Sequence, residues 1–205
     1  MEININSSDF YYQEISEPLT DQVLDLIKSN CKEFFDYFSW VYNHPIDNEG
    51  RPVGFKLKVV RSESQILRGY DIWGSAGFDE CAELSIWITI VIPPRVWQKN
   101  IVIDRAELLG TISHELHHIA QSLQNLDLEN KESGKLKYFL DPCEIEAFHI
   151  GVRAQSKLSG IAFSSLAKKY LTLAAPGLER QCIDRVVDAW RTTEFPLFQN
   201  VAGRC

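Results

Sequence analysis

Three of the chain's five histidines fall within five consecutive positions, His114-Glu115-Leu116-His117-His118. Imidazole is the side chain most often found on a metal ion, and the order H-E-x-x-H has the spacing such a site needs on a helix. At about 100° per residue, His114 and His118 sit about 40° apart on one face, so one ion reaches both rings. Glu115 is turned about 100° from His114, where it can hold a water beside the ion without being a ligand. His117 falls about 60° to the other side. The chemistry that fits is hydrolysis by water activated on Zn²⁺, with Glu115 as general base. The alternative is a solvated helix face that carries histidines by chance.

A catalytic zinc needs a third protein ligand and an open position. Downstream, Asp141-Pro142-Cys143-Glu144-Ile145-Glu146-Ala147 starts a helix, with Asp141 as N-cap and Pro142 in the first turn. Glu144 and Glu146 lie about 200° apart on that helix, so only one can face the ion. Glu144 also stands where it could close a capping box onto Asp141, which would leave Glu146 as the ligand. Both assignments are open at this point. His149 and His117 are placed behind the ligands or on the surface, and His44 sits in a turn before Pro45.

Other layouts are poorer. There is no G-x-S-x-G, since Gly74-Ser75-Ala76-Gly77 is one residue short of it. The five cysteines (Cys31, Cys81, Cys143, Cys182, Cys205) are scattered and form no C-x-x-C. That argues against a thiolate zinc site or a disulfide framework, and for a reducing, cytoplasmic compartment.

The elements that must carry the histidines are legible from periodicity. Leu84, Ile86, Ile88, Ile90 and Ile92 alternate with Ser85, Trp87 and Thr89, a strand ended by Pro93-Pro94. A helix over 104–125 follows, with a capping-box pattern at Asp104 and Glu107. Its apolar stripe is Leu108, Leu109, Ile112, Leu116, Ile119 and Leu123, with the histidines opposite, as for a helix at the floor of a cleft. Phe55, Leu57 and Val59 make a half-buried strand; 68–78, rich in glycine, reads as a loop or irregular strand. Helical spacing starts again at Leu19, and an aromatic cluster runs from Phe34 to Trp40. Turn chemistry fills 43–52, and 125–134 is polar loop. Further helices occupy 161–174 and 178–191.

At 205 residues, with 45% hydrophobic and 24% charged residues, the chain reads as one globular domain, 1–205, in which 1–50 is a helical N-terminal extension and 161–205 holds C-terminal helices. Residues 1–150 carry 13 Lys and Arg against 24 Asp and Glu, and 151–205 carry 8 against 4. An acidic body disfavours nucleic acid as a partner. No stretch is apolar for long enough to span a bilayer, and the first residues lack signal-peptide character, so no membrane partner is expected. Oligomeric state is not readable.

An alternating strand, an H-E-x-x-H helix and a following helix with glutamate and a small residue resemble the zinc metallopeptidases called zincins. Tyr138 to Ala147 is similar to the Y-x-x-x-P-x-E-x-E-A stretch of small H-E-x-x-H proteins encoded by phages and bacteria. The resemblance covers roughly 82–158, and a glutamate ligand places it with the gluzincins. The metzincin extension is absent, because Gln121 and Gln124 stand where glycine and histidine are required. What the resemblance implies is an α+β zincin-like fold, its small mixed or antiparallel sheet having strand 83–92 at the edge beside extended substrate. It implies an active-site helix over 104–125 and a glutamate helix over 141–158. It also implies a zinc-dependent peptidase acting on a peptide or protein, with His114, His118 and Glu144 on the metal and Glu115 as base. Tyr138 is the candidate donor to the oxyanion. Phe148 replaces the aspartate that thermolysin-type gluzincins place four residues after the ligand, leaving no orienting partner recognisable for a ligating histidine. A non-catalytic zinc-binding regulatory or interaction protein is the alternative, although a purely structural site would have no need of Glu115.

Overall fold

The isoleucine alternation at residues 86–92 produces a strand with Ile86, Ile88, Ile90 and Ile92 fully buried. It lies inside a four-stranded mixed sheet rather than at its edge. A computed structural model describes residues 8–30, 38–42, 53–61, 70–78, 84–92, 102–123 and 134–193. In chain order the elements are α1 (Ser8–Asn30), β1 (Phe38–Tyr42), β2 (Val53–Arg61), β3 (Asp71–Phe78), β4 (Leu84–Ile92), α2 (Arg105–Leu123), α3 (Lys135–Phe139), α4 (Pro142–Ser159), α5 (Phe163–Ala174) and α6 (Arg180–Thr192). The protein is therefore α+β. The sheet order is β1-β2-β4-β3, with β2 and β4 parallel and the outer pairs antiparallel.

Strand 83–92 was expected at the sheet edge, and this is corrected: β4 pairs with β2 on one side and β3 on the other. Its composition accounts for the position, because Ile88 alternates with half-buried Trp87, Thr89 and Val91. Such a nearly continuous apolar run belongs to an inner strand. The edge beside the H-E-x-x-H helix is β3, within the segment 68–78 expected to be loop or irregular strand.

The buried face of β2 and β4 forms one core with α1 and α2. It joins Phe55, Leu57 and Val59 to Ile15, Leu19, Val23 and Ile27 of α1 and to Leu108, Ile112, Leu116 and Ile119 of α2. Within the expected helical N-terminal extension, 1–50, the described residues form a helix and a strand. α1 is integral to the core, and Phe38–Tyr42 is a strand of the sheet. Arg105 ties α1 to α2, donating to both carboxylate oxygens of Asp21 at 2.7 and 3.1 Å.

Asp104 caps α2 by accepting from the Ala106 N–H at 2.9 Å. The return half of the capping box runs through a tyrosine. The Asp104 N–H donates to the Tyr70 hydroxyl at 2.9 Å, and that hydroxyl donates to Glu107 at 3.2 Å. The segment preceding β3 is thereby fastened to the start of α2.

A second core gathers Phe139, Phe148, Val152, Leu166, Leu171, Val186, Val187 and Trp190. The expected helices at 161–174 and 178–191 are α5 and α6. α4 serves both cores, with Ile150 in the first and Phe148 and Val152 in the second. Among the described residues, no helix is long and apolar enough to cross a membrane. The calls on 43–52 with His44, on 125–134 as far as residue 133, on Phe34 to Tyr37 and on Pro93-Pro94 lie outside the described residues.

Candidate metal centre

Two glycines set the distance between the helices that build the site. A Cβ on Gly151 of α4 would lie 2.6 Å from the Gly110 carbonyl oxygen of α2, and one on Gly110 would lie 3.0 Å from the Gly151 oxygen. Only hydrogen side chains let the backbones come this close. One turn beyond Gly110, α2 presents His114 and His118 to the first turns of α4.

Nε2 of His114 and Nε2 of His118 are 3.1 Å apart. Glu144 reaches both, its Oε2 lying 3.7 Å from His114 Nε2 and its Oε1 3.7 Å from His118 Nε2. Bonds of about 2.0–2.1 Å at tetrahedral angles put zinc ligand atoms about 3.3–3.4 Å apart. The imidazole pair at 3.1 Å and the two Glu144 oxygens, each 3.7 Å from a different imidazole, bracket that spacing, and Glu144 Oε2 is buried without a hydrogen-bond partner. The donor set therefore fits a divalent cation. His114, Glu115 and His118 also offer atoms within 4.8 Å of one another, but Glu115 Oε1 stands 4.0 Å from His114 Nε2, farther than Glu144. Glu115 sits beside the three donors, only 5% exposed.

Glu144 does not close a capping box onto Asp141. The Asp141 side chain accepts from the Cys143 N–H, capping α4. The Asp141 N–H, which a capping box would assign to Glu144, donates instead to the Tyr138 carbonyl at 3.1 Å. Glu144 turns toward the histidines instead, and its charge acts on the Tyr138 hydroxyl. Glu146 points elsewhere: its Oε2 is 3.3 Å from His117 Nε2 and accepts from Gln121 Nε2 at 3.2 Å. His149 faces α6, with Nδ1 on the Trp190 carbonyl.

The face opposite the apolar stripe is not a solvent face. His117 and Gln121 are each 1% exposed, and Ser113 is fully buried. Both candidate histidines are held by a neighbour, as a metal-binding imidazole requires. His118 Nδ1 lies 2.8 Å from Gln121 Oε1. Phe148 packs on the His114 ring with centroids 4.5 Å apart. Phe148 itself is held by stacking on Trp190 at 4.2 Å. The sequence signal for Gln121 was its place three residues after His118.

Burial holds His114 well below the ordinary imidazole value, reinforced by His118 and His117. It is therefore neutral, as a ligand must be. Burial lowers His117 as well, against the opposing pull of Glu146. For His118 burial acts downward, but the hydrogen bond and charge of Glu144 outweigh it and the value is raised. Burial pushes Glu115 up to about 8, with Glu144 adding to the rise and His118 opposing it. A divalent cation at the three donors would draw that carboxyl back toward ionisation. Burial and then the Glu144 charge push the Tyr138 hydroxyl up, so it is a hydrogen-bond donor at neutral pH.

Strand β3 closes the site from the sheet side. A Cβ on Gly74 would fall 2.3 Å from Glu115 Oε1 and 2.6 Å from its Cγ, so the β3 backbone passes directly over the carboxylate. Next to it, Trp73 is 63% exposed, with its indole N–H donating to Asp71. Trp87, on β4, lies under the Lys56 ammonium at 5.3 Å. No protein-family model matches the chain, and neither a curated protein nor a solved structure does.

Proposed function

We propose that the protein is a zinc-dependent peptidase of gluzincin-like type, with His114, His118 and Glu144 as ligands and Glu115 as general base. The observation that carries the reading is the convergence of two imidazole nitrogens and a carboxylate at tetrahedral-edge spacing, beside a second carboxylate that is not needed to bind. Zinc held there would supply Lewis acidity, polarising a scissile carbonyl and acidifying water. Glu115 would accept the water proton at its carboxylate and return it to the leaving amine. Tyr138, kept protonated and placed beside Glu144, would donate to the developing oxyanion. Among the described residues β3 pairs with β4 alone. Its other edge offers backbone groups to an extended peptide substrate, beside Glu115.

The test is Glu115→Gln. It preserves the side chain's shape and leaves the three ligands in place, so zinc content should stay at the wild-type level. Hydrolysis of a quenched peptide library should fall by about 10²–10⁴-fold, the contribution of a positioned base. Hydrolysis undiminished in the zinc-loaded variant would remove Glu115 from the mechanism. A wild-type protein that binds zinc but cleaves nothing in the library would instead favour a non-catalytic zinc-binding role.

A further inference from the structure

The orientation of the Gln121 amide follows from its neighbours. One end lies 3.0 Å from the Cys143 carbonyl oxygen and 3.2 Å from Glu146 Oε2. Both of those are acceptors, so that end is the NH₂. The other end is then the oxygen, and it sits 2.8 Å from His118 Nδ1. An amide oxygen only accepts, so Nδ1 must carry the ring hydrogen. In the neutral form that binds a metal, the imidazole has a single N–H, which leaves the lone pair on Nε2, the atom that faces His114 and Glu144.

We infer that Gln121 and Glu146 are positioning residues: Glu146, held against His117, orients the Gln121 amide, and the amide fixes His118 in the tautomer whose Nε2 can bind the ion. Gln121 and Glu146 are both buried, so water does not offer the amide an alternative set of partners. The glutamate that competes with Glu144 on sequence grounds thus acts at one remove, through Gln121 and not on the metal. The inference rests on His118 being a ligand, and its test separates the two.

Full-length protein is stripped with chelator and the imidazole ¹H–¹⁵N correlations are recorded. Zinc affinity is then measured by competition with a chromogenic chelator. Wild-type His118 should show hydrogen on Nδ1. Gln121→Met keeps the side-chain length and removes the acceptor; it should lose that signature and bind zinc about 10–100-fold more weakly. The double variant Gln121→Glu with Glu146→Gln exchanges carboxylate and amide. The introduced carboxylate accepts from His118 and from the new amide but has no hydrogen to give the Cys143 carbonyl, so the Nδ1–H signature should return while affinity recovers only part of the loss. A Gln121→Met protein that merely melts at lower temperature, with tautomer and zinc affinity as in wild type, would overturn the inference. If Gln121→Met does not fold, the exchanged pair decides alone, and loss of its Nδ1–H signature is the overturning result. Wild-type protein that takes no zinc would defeat the metal reading, while the tautomer would still decide the relay.

Discussion

Glu115 is held by a contact no local motif encodes, the passage of the β3 backbone over its carboxylate at Gly74. A methyl at position 74 would displace a buried side chain whose Cγ is as crowded as its oxygen. Gly74→Ala should therefore leave zinc binding unchanged while peptide hydrolysis drops by about 10²-fold, the usual cost of moving a catalytic group by about 1 Å. Hydrolysis at the wild-type rate in this variant would show that β3 does not place Glu115. At this scale the sequence was informative where spacing on one helix decides the matter, as for His114, Glu115 and His118. It left Glu144 and Glu146 unresolved, because the choice turns on where the Asp141 N–H goes, and that N–H belongs to the Tyr138 carbonyl. It passed over Gln121, whose value depends on acceptors supplied by another helix.

Helices α2 and α4 meet through Gly110 and Gly151, and the histidine face is buried because they do. Alanine within a helix ordinarily adds about 1 kcal/mol over glycine, so the sign of a substitution here reports the contact. Gly151→Ala, whose Cβ would come to 2.6 Å from a carbonyl oxygen, should destabilise by about 1–3 kcal/mol through overpacking. Gly110→Ala, at 3.0 Å, should cost less. Denaturant midpoints of the two variants check the order, and a stabilised Gly151→Ala would mean the helices are not in close contact. Helix existence was readable from periodicity and caps, and α5 and α6 fall near their expected bounds. The place of β4 was not, because alternation reports which face is buried and says nothing of how many neighbours a strand has. The capping box at Asp104 was half legible, since its return hydrogen bond passes through Tyr70 from a distant part of the chain.

Across the whole molecule, α4 is shared by two cores and carries Glu144 at the end of the element that joins them. The sheet core fixes α2, and the aromatic core around Trp190 fixes Phe148 and so the wall behind His114. His114, His118 and Glu144 are brought together by tertiary packing more than by either helix alone, so zinc binding at the proposed site should report the integrity of the whole fold. The most direct measurement is the metal content of purified full-length protein, equilibrated with zinc and then desalted. About one zinc per chain is the predicted result. His114→Ala and His118→Ala should lose the metal, and Glu144→Gln should hold it more weakly while Glu146→Gln retains the larger share. Wild-type protein that remains metal-free after incubation with zinc would contradict the account.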